Sequence, residues 1–195
     1  WLHWWEIETD GDYRSPFYNL VVSRGKDQAR AGVPLEDLQR MIAACSGALA
    51  LRDQTMLRAL VDTGARAFEF LALDVSDVNL TTGAVKIQRD KGDKERTVFL
   101  AANARRSLRR YLKTRPHLAG SDPLWQASTG GRLKKRGLRE VVERRAAQAG
   151  VPAPGLHDFR RACSILLLRN GMNLEYIRRY LGHKKLETTR RYLAE

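Results

Sequence analysis

From Val33 onward, apolar residues recur first at helical spacing. Leu35, Leu38, Met41, Ile42 and Cys45 fall on one helix face, and Pro34 suits its start. Met56, Leu57, Leu60 and Val61 repeat the pattern over a second helix near 52–62, which Gly64 stops. Arg66 therefore falls just past a helix end, where a side chain can point into a cleft. The period then shortens. Residues 77–80, 84–88 and 95–100 read as strands around the turns Thr81-Thr82-Gly83 and Asp90-Lys91-Gly92-Asp93. Helical spacing then returns. Asn103 is a candidate cap for a helix carrying Arg105, Arg106, Arg109, Arg110 and Lys113 around Leu108 and Leu112. Leu138, Val141, Val142, Ala146 and Ala149 line the next helix. Phe159, Ala162, Cys163, Leu166 and Leu167 line another, with Asp158 as a candidate N-cap and Gly171 past its end. Asn173 can cap a helix that buries Leu174, Ile177 and Leu181, and Gly182 ends it before a short terminal helix. The expected fold is α+β and mostly α, with a small three-stranded antiparallel sheet.

The first residues follow a different pattern. Trp1, Trp4 and Trp5 would make an apolar helix face with little in this chain to pack on. Residues 1–17 read either as the last helix of a preceding domain or as a helix packed on this one, and 15–32 as a linker. The chain opens on Trp1 rather than Met, as a piece of a longer polypeptide would. The expected division is 1–32 as a remnant plus linker and 33–195 as one domain.

Composition narrows the partner. Apolar residues make up 43% of the 195, enough for a core and too many for a disordered tail. Thirty-five Lys and Arg against 22 Asp and Glu give a net charge of +13, which points to a polyanion and first to nucleic acid. No apolar run approaches the roughly 20 residues of a membrane span. Cys45 and Cys163 sit in apolar helical patterns and read as reduced core residues, so the expected location is the cytoplasm, at the nucleoid. Two cysteines and four histidines show no zinc-ligand spacing. The basic stretch Arg132, Lys134, Lys135 and Arg136 is either a phosphate contact or a solvated face.

The chemistry concentrates near the C-terminus. His157 and Arg160 lie three residues apart and can face one pocket. His183 emerges just after the Gly182 stop, and Tyr192 follows nine residues later. Arginine and histidine can hold phosphate oxygens, and a phenol can attack phosphorus. This His-x-x-Arg, Leu-Gly-His, Tyr series resembles the C-terminal end of the tyrosine recombinase family, which includes phage integrases and Xer-type resolvases. Two upstream elements agree with it. Thr63-Gly64-Ala65-Arg66-Ala67-Phe68-Glu69 resembles the family's Gly-x-Arg-x-x-Glu setting, with Ala65 where leucine is more usual. The run from Arg89 to Arg96 supplies Lys91 in a hairpin turn. The resemblance covers 33–195.

The resemblance implies that Tyr192 attacks the scissile phosphate, forming a 3′-phosphotyrosine bond and freeing a 5′-hydroxyl. Arg66, Arg160 and His183 would hold the non-bridging oxygens. Lys91 would protonate the leaving 5′-oxygen, His157 would take the phenol proton, and Glu69 would orient the cluster. Arginines would stand where other enzymes use a metal, so neither metal nor cofactor is expected. The implied partner is double-stranded DNA, bound by a homotetramer on paired sites. The preceding remnant would be the end of a DNA-clamping domain. A type IB topoisomerase shares this tyrosine and arginine logic, and a DNA-binding regulator without catalysis is the rival outside enzymes.

Overall fold

The computed structural model of the chain describes residues 32–88 and 95–193, from residue 190 onward by backbone alone. Residues 1–31, expected to be a remnant and linker, and the Lys91 turn lie outside the described residues. Eight helices and one hairpin make up the described part. They are α1 (Leu35–Ala43), α2 (Ala50–Thr63), α3 (Ala67–Ala72), β1 (Ala84–Ile87), β2 (Arg96–Phe99), α4 (Ala102–Lys113), α5 (Lys135–Ala149), α6 (Leu156–Arg169), α7 (Leu174–Leu181) and α8 (Leu186–Leu193).

Helix α2 is the axis of the domain. Met56, Leu57 and Leu60 are fully buried, as are the polar Asp53 and Thr55. It packs on α4 along one side and on α6 along another. A ring stack of Phe70 on Trp125 (centroids 4.8 Å apart), extended by Tyr111 on Trp125, fills the adjoining core. Asp53 anchors the start of α2. Its Oδ1 accepts from Arg52, and its Oδ2 from Arg144 Nη2 (2.8 Å) and from Arg145 Nε and Nη2 (2.9 and 2.7 Å). α2 ends at Gly64, which takes φ +54°. A Cβ there would meet Leu181 Cδ2 at 2.7 Å and Cys163 Sγ at 2.9 Å. Glycine is therefore required twice, by conformation and by the close approach of α6 and α7.

The sheet is smaller than the sequence suggests. β1 and β2 pair antiparallel from Ala84↔Phe99 to Ile87↔Arg96. The expected third strand, 77–80, contributes a single bridge, Val78↔Val85. Local hydrogen bonds account for the loss. The Asp77 carboxylate accepts from the Asp74 N–H and winds 75–77 into a 3₁₀ turn. Asn79 Oδ1 accepts from the N–H groups of Thr81 and Thr82, closing a turn where the ladder would continue.

Two expected caps also differ. α4 starts at Ala102, and the N–H of Ala101 is held by Asp62 Oδ2 at 2.8 Å, so a distant carboxylate organises the start in place of Asn103. α6 starts after Gly155, and Asp158 acts from inside the first turn by accepting the Gly155 N–H at 2.8 Å. Asn173 does cap α7, accepting from Glu175 N at 2.8 Å. Cys45 and Cys163 are buried and unpaired with each other. No helix among the described residues is long and apolar enough to cross a membrane.

Candidate active site

The loop after α2 turns Arg66 into extended backbone, where it serves as the N-cap position of α3. Glu69, one turn on, is 2% exposed. Its Oε2 accepts the Arg66 N–H at 2.8 Å, and its Oε1 accepts Arg66 Nη1 at 3.0 Å. Arg96, at the start of β2, meets the same carboxylate with both Nη atoms, at 2.9 and 2.6 Å. Its Nε donates to Tyr180 O, tying the hairpin to α7. Burial opposes the charge on Glu69. The hydrogen bonds from Arg96 and the Arg66 N–H, with the two guanidinium charges, overcome it and hold the carboxyl at about 2.

Arg66 and Arg160 converge on one helix end. Arg66 Nη2 donates to Gly182 O at 3.3 Å, and Arg160 Nη2 donates to Leu181 O at 2.5 Å. These adjacent carbonyls close α7 and immediately precede His183, at the end where a helix attracts cations. Arg160 is 1% exposed, and its Nη1 also donates to Gly64 O at 2.7 Å. The two arginines thereby lock the α2–α3 and α7–α8 junctions together.

His183 is 5% exposed, with Nδ1 at 2.9 Å from Thr189 Oγ1 on α8. Its backbone is clamped by Arg178, whose carbonyl accepts the His183 N–H and whose Nη1 donates to His183 O. Burial first, then the charges of Arg160 and Arg66, push its imidazole down to about 3. His157, in the first turn of α6, is lowered by the same two causes, burial and then Arg160. Both rings are neutral at physiological pH, so each keeps one nitrogen able to accept a proton.

Arg66 and His157 open on a cleft of about 510 Å³, lined also by Phe68, Lys135 and Arg139. Phe68 is 55% exposed there, an uncovered aromatic among cations. The basic stretch divides at this point. Lys135 reaches the cleft. Arg132 instead donates Nη1 to the carbonyls of Leu71, Ala72 and Leu73 and pairs with Asp74, so it finishes the end of α3. Arg136 pairs with Glu140 on the exposed face of α5, and Lys134 is the N-cap position of that helix.

Position 192 lies on α8, one turn beyond Thr189, and α8 packs on both α6 and α7. Arg96 and Thr189 were not legible as site residues. A buried glutamate matched to one arginine three residues away leaves acceptor capacity over, and the basic run 89–96 was the place to seek a second donor. Thr189 carries no comparable signal.

A site built this way holds an anion. One ionised carboxylate is paired with Arg66 and Arg96, and Arg160 adds its charge at the neighbouring end of α7, leaving net positive charge beside two neutral imidazoles.

Comparison with known proteins agrees. The phage integrase family profile matches residues 33–195. A tyrosine recombinase XerC of Mycobacterium sp. (strain KMS) is 38% identical over 160 residues, covering 77% of this chain and 53% of that protein. A tyrosine recombinase XerC of Bifidobacterium longum (strain DJO10A) is 32% identical over 152 residues, covering 72% and 42%. The chain thus spans about half the length of the curated relatives it matches. Among solved structures, a XerA recombinase superposes with TM-score 0.77 at 25% identity, over 94% of this chain and 65% of that one. A Tn1549 transposon integrase in complex with circular-intermediate DNA shares the fold, with TM-score 0.77 at 15% identity, over 100% and 72%. Matched from Val33 to Glu195 and folded like these recombinases, the chain belongs to the phage integrase family and corresponds to a tyrosine recombinase catalytic domain.

Proposed function

We propose that this chain cuts and rejoins DNA strands as the catalytic part of a site-specific recombinase, through a covalent 3′-phosphotyrosine. The observation that carries the reading is the convergence of Arg66 and Arg160 on the Gly182 and Leu181 carbonyls beside His183. Two guanidinium forks so fixed suit the non-bridging oxygens of a phosphate, where charge builds during displacement. Tyr192 attacks in line. The bond from its phenolic oxygen to phosphorus forms as the bond to the 5′-oxygen breaks. His157, held neutral, accepts the phenol proton, and Lys91 donates a proton to the departing oxygen. The ester conserves the bond energy, so the reverse attack by a 5′-hydroxyl reseals DNA without a nucleotide cofactor. Glu69 orients Arg66 from behind, and Lys135 and Arg139 in the cleft contact the neighbouring backbone. Double-stranded DNA is the substrate, with a homotetramer on paired sites as the working assembly.

The test is a nicked suicide duplex carrying the recombination site, resolved on a denaturing gel. Wild-type chain gives a protein–DNA band. Tyr192→Phe retains duplex affinity and gives none. A covalent band persisting in that variant would place the nucleophile elsewhere.

A further inference from the structure

Helix α4 carries charge that the cleft does not use. The segment Ala102–Lys113 holds five basic residues and no acidic one. Two of the five are committed to the protein. Arg105 Nη1 donates to Thr81 O at 2.6 Å, and Arg109 Nη2 donates to Leu80 O at 2.7 Å. Beyond the helix end, Arg115 is likewise engaged, donating to Pro123 O and Leu124 O. Arg106, Arg110 and Lys113 are exposed, and among the described residues none of them makes an ion pair.

Other helices of this chain treat exposed arginines differently. On α5, Arg136 pairs with Glu140 and Arg139 with Glu143. On α7, Arg178 and Arg179 share Glu175. Among the described residues, only on α4 is a row of exposed cations left without a carboxylate on its own helix. Positions 106, 110 and 113 form one stripe at i, i+4 and i+7. The stripe runs along about 10.5 Å of helix axis at ~1.5 Å per residue. One strand of B-DNA presents a phosphate about every 3.4 Å of axis, so roughly three phosphates face a row of that length. An open depression of about 540 Å³ accompanies it, lined by Leu80, Leu112 and four cations, with no carboxylate in its wall.

The row runs away from the cleft. α4 lies antiparallel to α2, with Ala101 held by Asp62 near the Gly64 end and Ser107 meeting Thr55 further back (2.7 Å between hydroxyls). Arg110 and Lys113 thus approach the start of α2, while Arg66 and Arg160 sit past its end.

We infer that the Arg106–Arg110–Lys113 row is a second DNA contact, gripping duplex phosphates remote from those in the cleft. It shares with the proposed function only the class of ligand. The remote duplex is either a continuation of the one in the cleft or a separate one, and both present the same phosphates.

The experiment compares this chain with the triple variant Arg106→Ser, Arg110→Ser, Lys113→Ser and the charge-preserving pair Arg106→Lys, Arg110→Lys. Duplex binding is followed by anisotropy across salt concentrations. Each phosphate contact adds ~0.9 to the slope of log K against log salt, so the serine variant should lose about 2.7 and the lysine variant almost nothing. An unchanged slope in the serine variant overturns the inference. So does an equal loss in the lysine variant, which would trace the effect to a damaged helix. Capture of a second, fluorescent duplex by protein bound to an immobilised one, lost in the serine variant, assigns the row to a separate duplex. The slope loss without capture assigns it to the continuing one. Polyglutamate competing as well as duplex at equal charge concentration would make the row an acidic-protein site and overturn the DNA assignment. Covalent complex formation through Tyr192 is read in the same variants at saturating DNA and should be unaffected. If wild type forms none, the catalytic reading fails and the slope result stands.

Discussion

Two buried carboxylates in this domain gather arginines, and they use them in opposite ways. Asp53, fully buried near the start of α2, holds Arg52, Arg144 and Arg145. The Arg144 side chain is 45% exposed, but the remaining donors of the two buried arginines also end on the protein. Arg145 Nη1 donates to Ser46 O and Gln148 Oε1, and Arg52 Nη1 to Gln126 O. Glu69, just past the other end of α2, holds Arg96 equally tightly but leaves the Arg66 side chain 35% exposed. Besides its 3.0 Å bond to Glu69, that side chain makes a long 3.3 Å bond to Gly182 O and borders the cleft. A guanidinium presents five donors in a planar fork. In Arg52 and Arg145 the Nε and both Nη atoms all end on the protein, and these arginines are scaffold. When a carboxylate holds one edge and the other faces a cleft, the arginine is an anion receptor already aimed.

The two nodes should therefore fail differently. Asp53→Ala leaves two arginines buried to 6% and 3% exposure without their counter-charge. Removing one partner of such a cluster costs about 3–5 kcal/mol, so urea unfolding should shift by that amount, the largest loss expected here. Glu69→Gln keeps one oxygen to accept the Arg66 N–H and Arg96 Nη2, while its amide NH2 faces the Nη1 donors of both arginines. Its stability loss should be smaller, about 1–3 kcal/mol. The rate of covalent complex formation should nonetheless fall at least tenfold, because Arg66 loses its aim. Folded Asp53→Ala protein at low temperature should retain most of its cleavage rate. If the Asp53 variant lost catalysis while the Glu69 variant kept it, the roles assigned to the two nodes would be exchanged.

Much of this arrangement is legible along the chain, and the limits have physical causes. The stops at Gly64, Gly171 and Gly182 are readable because each takes a positive φ that other residues rarely adopt. The helices between them follow from apolar spacing alone. The spacing of His157, Arg160, His183 and Arg66 singles them out, and the fold brings all four to the α2, α6 and α7 junction. The third strand was over-read, because alternation over four residues cannot outvote the Asp77 and Asn79 side chains that bend the same stretch. Arg132 looked like a loop cation, and its true acceptors are carbonyls about sixty residues upstream. Arg96 was hidden in the same way, since only tertiary contact reveals that Glu69 needs it.

A third carboxylate sharpens the contrast and carries the smallest expected effect. Asp62, also on α2, has no guanidinium bonded to it among the described residues and there holds a single backbone N–H, that of Ala101. Burial therefore dominates and raises it to about 6, against the opposing hydrogen bond and the charge of Arg58. The two carboxyls then pull stability in opposite directions with pH. Glu69, depressed to about 2, contributes stability that is present above its unfolded value near 4.5 and lost as pH falls toward 2. Asp62 contributes stability that is full below its unfolded value near 3.8 and lost as pH rises through about 6. Asp62→Asn retains a carbonyl acceptor for Ala101 and cannot ionise. Its melting temperature should match wild type near pH 4 and exceed it by a few degrees above pH 6. A variant that melts lower than wild type at pH 7 would mean that the ionised carboxylate is held favourably, as Glu69 is, by a partner that outweighs its burial.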